Sequence, residues 1–407
     1  MHPGFFRRPL GRGWLVCGLL VCGLALAACG SSSSSTSSTS SSSSTTSSSS
    51  SSSSGAVPAS TLSSLAATVK AAEAAPAFKA PGPRVSASVL KGTSLVVFPV
   101  NSEIDACQTQ SEDFKALGQS LGAKVTLISD AGEPPQWQTA VEDAVAAHDQ
   151  GVAMMCGVIP GAIGPQLTAA AKAGVKVVDG NYNETSNYTG LDGETAVETA
   201  QGMADDVADA LVNLNGKPLH ALVVNSDSII QGPVAGAAVG AAIKQDCPST
   251  CSVTDTVTVP IQNWATATQS DLSAALLAHS NTNAVFIVFD GMTQFALPAV
   301  ESSHITGLKV YTWGGSRSVE KLMESPNSLI AADPGPDEQW DAYEAMDQLI
   351  RLIGHQPAAS VNNEVDPNVF FVPSNVTTFF GPGGTYGNAA FGGNAFITGF
   401  DKLWGVS

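Results

Sequence analysis

From residue 93 onward, short apolar runs alternate with longer stretches whose apolar positions recur every three to four residues. The runs are rich in valine, isoleucine and leucine, which favours extended chain. The longer stretches carry the helical period. This pattern predicts strands at Ser94–Val100, Lys124–Ser129, Gly151–Gly157, Val175–Asp179, His220–Asn225, Val253–Val259, Ala284–Asp290, Lys309–Trp313 and Leu329–Ala332. Between them it predicts helices over Ala106–Leu121, Trp137–Asp149, Gly164–Ala173, Thr195–Leu214, Pro233–Gln245, Thr266–Ala278, Phe295–Ser302, Val319–Glu324 and Asp337–Ile353.

Strands without polar alternation are buried on both faces, as in parallel sheets covered by helices. Regular β–α alternation therefore predicts a doubly wound α/β architecture. The length exceeds what one core usually holds, so two lobes are expected. Asn181–Asp192, polar and turn-rich, lies midway and is the candidate for the first crossing between them. In open α/β sheets ligands bind beyond the carboxyl ends of the strands, so the residues just after each strand are the ones to inspect.

The first part of the chain reads differently. Met1–Arg12 carries Arg7, Arg8 and Arg12 with no acid, Trp14–Ala28 is uncharged and apolar, and Leu26-Ala27-Ala28-Cys29 closes the run. This is the layout of a secretory signal. Its last four residues match a lipoprotein processing box, so residues 1–28 are expected to be removed and Cys29 to carry lipid. Ser31–Ser54 is serine broken only by threonine. It cannot bury enough apolar area to order itself, and residues 29–55 are expected to act as a tether spanning roughly 25–30 Å. Residues 56–92 contain a short alanine-rich helix over Pro58–Ala75 and a proline–glycine break.

Loss of the three signal arginines takes the formal charge from −17 to −20. No basic patch is present to meet a phosphate backbone, so nucleic acid is not an expected partner. Four of the seven cysteines lie beyond the signal and lipid box, and an even number outside the cytoplasm suggests disulfides. Cys247 and Cys251 flank the tight turn Pro248-Ser249-Thr250, so they are expected to pair locally. That leaves Cys107 with Cys156. In a flavodoxin-like strand order the first and third strands are neighbours, and this second disulfide would fix one wall of the cleft. A zinc site is the rival reading, but no histidine lies at ligand spacing.

The order and spacing of several stretches carry a resemblance. They are Ser94-Leu-Val-Val-Phe-Pro-Val100, Gln138-Thr-Ala-Val-Glu-Asp-Ala-Val145, Ala170-Ala-Lys-Ala-Gly-Val-Lys-Val-Val178, Asn263-Trp264 before a helix, and Ala284-Val-Phe-Ile-Val-Phe-Asp290. Over Ser94–Ile353 the chain resembles the periplasmic sugar-binding proteins of ATP-binding-cassette importers, the ribose-binding-like branch of the type I binding-protein fold. The ending Phe400-Asp-Lys-Leu-Trp404-Gly405 also resembles a tail of some actinobacterial members. The resemblance implies an N-terminal lobe of residues 93–182 plus about 333–357 and a C-terminal lobe of 183–332 plus about 358–380. A multi-strand hinge would join them, with 381–407 as a tail. It further implies ligand capture by hinge closure, a membrane permease as partner, a monomer, and no cofactor or metal.

Pentose-binding members use acids and arginines at several strand ends, and this chain departs from that pattern. Cys156-Gly157-Val158-Ile159 has no acid, Asn181-Tyr182 stands where an Asp-Arg pair would sit, and Trp313-Gly314 has glycine for the usual acid. Asp290 keeps its acid. Ribose specificity is therefore not carried over. Candidate ligand-binding residues are Asn101, Glu103, Asp105, Cys156, Asn181, Tyr182, Gln231, Asp290, Trp313 and Asp333. Trp313 can equally serve core packing, and Asp290 can equally cap the helix that follows it. Of the first-strand group, one residue is expected to reach ligand, with solvated loop as the default for the others. Trp264 is read as structural, and Trp137, Trp340 and Trp404 as surface or core packing.

Three function classes are open. The leading one is capture of a sugar or polyol for an importer by an exported, lipid-anchored protein on the outer face of the membrane. The second is a sensor lipoprotein that presents ligand to a signalling receptor. The third, a secreted enzyme, lacks a nucleophile elbow, a zinc-binding His-Glu-x-x-His helix and a phosphate loop. The adjacent acids Asp205-Asp206 diverge by about 100° on a helix and cannot work as a dyad.

Overall fold

The computed structural model describes residues 57–180, 197–229, 231–360, 363, 367–379 and 389–406. Cys29, Asn181 and Tyr182 lie outside the described residues.

Two parallel sheets form the frame. The first has the order β2-β1-β3-β4, from β1 (Ser94–Pro99), β2 (Lys124–Leu127), β3 (Gly151–Met155) and β4 (Lys176–Asp179). The second has the order β6-β5-β7-β8-β9, from β5 (His220–Asn225), β6 (Ser252–Thr258), β7 (Ala284–Ile287), β8 (Lys309–Thr312) and β9 (Ile330–Ala332). The named strands pair in parallel throughout, and an isolated antiparallel bridge joins Gly335 to Val369. The central strands β3 and β7 are buried at every residue, whereas the edge strand β6 is a Thr/Val ribbon partly open to solvent. A buried run and a polar edge are what a covered sheet requires of its middle and its rim.

The helices fall where the period places them, from α2 (Asp105–Ser120), α3 (Pro134–Ala146) and α4 (Gly164–Ala173) on the first sheet to α5 (Val197–Asn213) at the crossing. The second sheet follows with α6 (Gln231–Asp246), α7 (Trp264–Ala278), α8 (Thr293–Ser302) and α9 (Arg317–Met323). The chain then returns. α10 (Glu338–Ile353) packs on α2, β3 and β4 of the first sheet, and Asp337 caps it by accepting the backbone N–H groups of Gln339 and Trp340.

The segments flanking this core are built into it. α1 (Ala59–Ala72) packs on α5, and Val57 N–H donates to the Gly216 carbonyl at 3.1 Å. At the other end, after the short α11 (Val376–Phe379), Phe396, Phe400, Leu403 and Trp404 form the buried face of α12 (Ala395–Trp404), a helix within the stretch that sequence reads as tail. Phe396 stacks on Trp340 at 4.6 Å and Trp404 on Tyr343 at 5.4 Å. Trp404 Nε1 donates to Asp347 Oδ1 at 2.6 Å, and Asp347 pairs with the buried Arg351 at 2.7 Å.

Both expected disulfides are present, Cys247–Cys251 and Cys107–Cys156. The second ties the first turn of α2 to the residue after β3, and β1 and β3 are neighbours as the flavodoxin-like order requires. Replacing both Cys107 and Cys156 with serine reopens a loop of 49 residues. It should lower unfolding free energy by about 2–4 kcal/mol in urea titrations. Trp404→Ala removes a buried ring and leaves Asp347 short of a donor, so a loss of about 3–5 kcal/mol is expected by the same measurement.

Candidate functional site

The carboxyl ends of the two sheets meet. Gln231, the first residue of α6, is buried, and its side chain lies against Gly157 beyond β3. A Cβ placed on Gly157 would stand 2.5 Å from Gln231 Oε1. Gly157 also has φ +79°, a conformation that favours glycine. Beside this contact Gln262 Nε2 donates to the Gly132 carbonyl at 3.2 Å, and Gly291 approaches Ile104. Each of the three contacts joins a loop of the first sheet to a loop of the second.

Within this seam the β8–α9 turn organises two acids. Ser316 N–H donates to Asp290 Oδ2 at 2.7 Å, and Gly315 N–H donates to Asp333 Oδ1 at 3.2 Å. Both carboxylates are fully buried, and Asp290 Oδ1 and Asp333 Oδ2 have no hydrogen-bond partner. The geometry also explains the glycine where an acid was expected. A Cβ on Gly314 would stand 2.3 Å from Asp290 Cγ, so the Asp290 carboxylate fills the space a side chain there would need.

The other candidates divide. Asn101 is buried and holds the loop after β1: its Oδ1 accepts from Glu103 N–H at 2.8 Å, and its Nδ2 approaches the Ala131 carbonyl at 3.4 Å. Glu103 and Asp105 are exposed on that loop and at the start of α2. Cys156 is spent on its disulfide. Trp313 is buried with its ring on Gly202 of α5 and its Nε1 donating to Asn368 Oδ1 at 3.2 Å, so its surroundings are those of packing. Trp264 donates to the Val259 carbonyl and to Ser226 Oγ under its helix.

Two acids at or beside strand ends, and one in a helical first turn, escaped the sequence reading. Asp130, after β2, accepts from Gly132 N–H at 2.9 Å and from Trp137 Nε1 at 3.4 Å, and its Oδ2 is unpartnered. Asp179, the last residue of β4, and Glu320, in the first turn of α9, are buried with both oxygens unpartnered. Asp179 had a visible signal, since it ends its strand two residues before the Asn181 position that drew attention. Glu320 had none, because an acid in a first helical turn is ordinary.

Burial governs the electrostatics. It raises the Asp290 carboxyl to about 6, with Ser316 and Gly291 donors holding it back and Asp105 pushing it up. It raises Asp333 further against the charges of Asp290 and Glu338, with the Gly315 N–H opposing. Glu320 and Asp206 are pushed up for the same reason, with Asp333 among the charges they face. Asp179 is raised by burial alone. Asp130 stands at about 6, raised by burial and held back by its two donors, and Asp337 at about 7.

No family model matches the chain, nor does any curated protein. Solved structures do. A sugar ABC transporter protein from Yersinia enterocolitica superposes with a TM-score of 0.62 at 17% identity, covering 80% of this chain and 100% of the other. The fold is that of a type I periplasmic binding protein. A 5-methylthioribose transporter solute-binding protein from Thermotoga lettingae, in complex with 5-methylthioribose, gives 0.62 at 14% identity over 79% and 95% of the two chains. An ABC transporter solute-binding protein from Mycobacterium smegmatis with bound glycerol gives 0.61 at 17% identity over 72% and 99%. These superpositions establish a shared fold, with two parallel-sheet lobes.

The buried acids set a pH dependence. A carboxyl whose folded pKa exceeds its unfolded value of about 4 stabilises the fold most below pH 4 and loses that contribution as pH rises through the folded value. For Asp130 and Asp337 the loss spans pH 4 to about 7, and Asp290, Asp333 and Glu320 act in the same direction. The urea midpoint of the ligand-free protein should therefore be higher at pH 5 than at pH 8, and Asp130→Asn should reduce the difference.

Proposed function

We propose that this chain captures a small polyhydroxylated solute, a sugar or polyol, between its lobes and presents it to an ATP-binding-cassette importer. The observation that carries the reading is the seam: Gln231 meets Gly157 beyond β3, Gly291 meets Ile104 beyond β1, and Asp290, next to Gly291, shares one buried turn with Asp333. Ligands of doubly wound sheets bind at that end of the strands. Closure of two lobes over a solute gives a permease a state to recognise. The solved relatives of this fold include proteins with bound glycerol and 5-methylthioribose, which supports the solute class.

In this reading Cys29 carries the lipid, the serine-rich tether holds the body at the outer face of the membrane, and the protein acts as a monomer without a cofactor. Asn181 and Tyr182, on the expected inter-lobe crossing, would add an amide and a ring to the site. Among the described residues no helix is long and apolar enough to cross a membrane.

Thermal melting of the full chain against sugars, polyols, amino acids and nucleosides tests the reading. A ligand at 100 times its dissociation constant adds about 2.7 kcal/mol to the folded state, a shift of several degrees. Sugars or polyols should give that shift and the other classes should not. Gln231→Ala, which removes a contact of the closed seam, should weaken binding about tenfold, or about 1.4 kcal/mol. A response confined to amino acids or nucleosides would replace the sugar assignment.

A further inference from the structure

The two ends of the strands differ in charge. Among the described residues, lysines stand at strand beginnings, Lys124, Lys176 and Lys309, while aspartates stand at or just beyond strand ends: Asp130, Asp179, Asp290 and Asp333. Across the described loops and first helical turns that follow the strands, the only lysine or arginine is Arg317, which opens α9. The crossing stretch 181–196 has none in its sequence. No three described His, Cys, Asp or Glu side chains are grouped to hold a metal ion.

Asp290 and Asp333 differ from a solvated acidic patch in two respects. Each is fully buried, and each gives one oxygen to the β8–α9 turn while the other oxygen has no partner. Glu320 adds two more oxygens without a hydrogen-bond partner in the field of both, with Arg317 the one cation acting on it. A buried anion short of donors and counter-charge is disfavoured, and charge-assisted hydrogen bonds are the strongest a ligand can supply in return. Neutral hydroxyls would satisfy the lone pairs but leave the charge.

We propose that the solute is a cation, a polyhydroxylated amine such as an amino sugar or amino polyol, whose ammonium group docks on Asp290 and Asp333. This rests on the binding-protein reading above and narrows it. The ammonium donates to Asp290 Oδ1 and Asp333 Oδ2, and the hydroxyls meet the remaining polar groups of the seam.

Matched probes decide the matter. The full chain is titrated at pH 7.5 with D-glucose, D-glucosamine and N-acetyl-D-glucosamine, with D-galactose and D-galactosamine, and with D-glucitol and N-methyl-D-glucamine. Melting and calorimetry are the readouts. In at least one set the amine should bind about tenfold or more tighter than its neutral counterparts, the margin of one charge-assisted hydrogen bond. Asp290→Asn and Asp333→Asn keep shape and remove charge, so both should fold, and each should erase the preference. Neutral members binding as tightly as amines would overturn the inference and leave the sugar-binding reading standing. Calcium or potassium chloride alone raising the melting point, with the rise lost in Asp290→Asn, would replace the amine with a metal ion. Silence from every probe would overturn both readings.

Discussion

A carboxylate buried away from water must find donors or a counter-charge, or give up its own charge, and this constraint shapes one end of the molecule. Asp290 and Asp333 arrive from β7 and β9 on either side of β8 and share the turn that β8 leads into. Two successive backbone N–H groups serve two carboxylates. The turn can do this only because Gly314 and Gly335 have no side chains: a Cβ on Gly314 would overlap Asp290, and one on Gly335 would come within 2.2 Å of the Gly314 carbonyl carbon. The order β7-β8-β9 is thus what brings the acids together, and the glycines are what let them stay.

The remainder of the site follows from the same parallel arrangement. Every strand runs the same way within its sheet, so every loop at its carboxyl end lies on the seam side. Single side chains such as Gln231 and Gln262 can then reach the opposite lobe. The Cys107–Cys156 bridge holds the end of β3 to the start of α2, which fixes Gly157 where Gln231 meets it. The flanking helices α1 and α12 pack on different partners, α5 and α10. Segments at both ends of the described chain are therefore engaged with helices that follow the inter-lobe crossings.

Most of the framework was legible in the sequence because its signals are local. Valine-rich runs mark buried parallel strands, amphipathic stretches mark covering helices, and the four-residue cysteine spacing marks a local pairing. α12 was missed although Phe396, Phe400 and Leu403 repeat at helical spacing, since the glycine-rich stretch before it reads as tail. The site was only half legible. Strand ends flagged Asp290 and Asp333, but which side chains are already satisfied depends on contacts far apart in sequence. Asn101 is occupied by its own loop, Trp313 by α5 and Asn368, and neither fact is written in their neighbourhoods. Asp179 carried a signal in ending its strand, whereas Asp130 and Glu320 became visible only once burial and missing partners were known.

The acidic composition takes on a different meaning in this light. A net negative surface is common and carries little information about ligands, but buried acids that outnumber the one described cation at these strand ends, Arg317, act against the stability of the empty fold. The large shared core, which includes β1, β3, β5, β7 and the α12 cluster, supplies the apolar burial that tolerates them. A protein whose only task was to stay folded would gain from asparagine at Asp290 or Asp333, since the turn N–H groups would keep an acceptor and the buried charge would vanish. Retaining the charge makes physical sense where something that enters the seam compensates it. Closure and charge compensation then become one event, because the same step that excludes water from the acids brings them their donor.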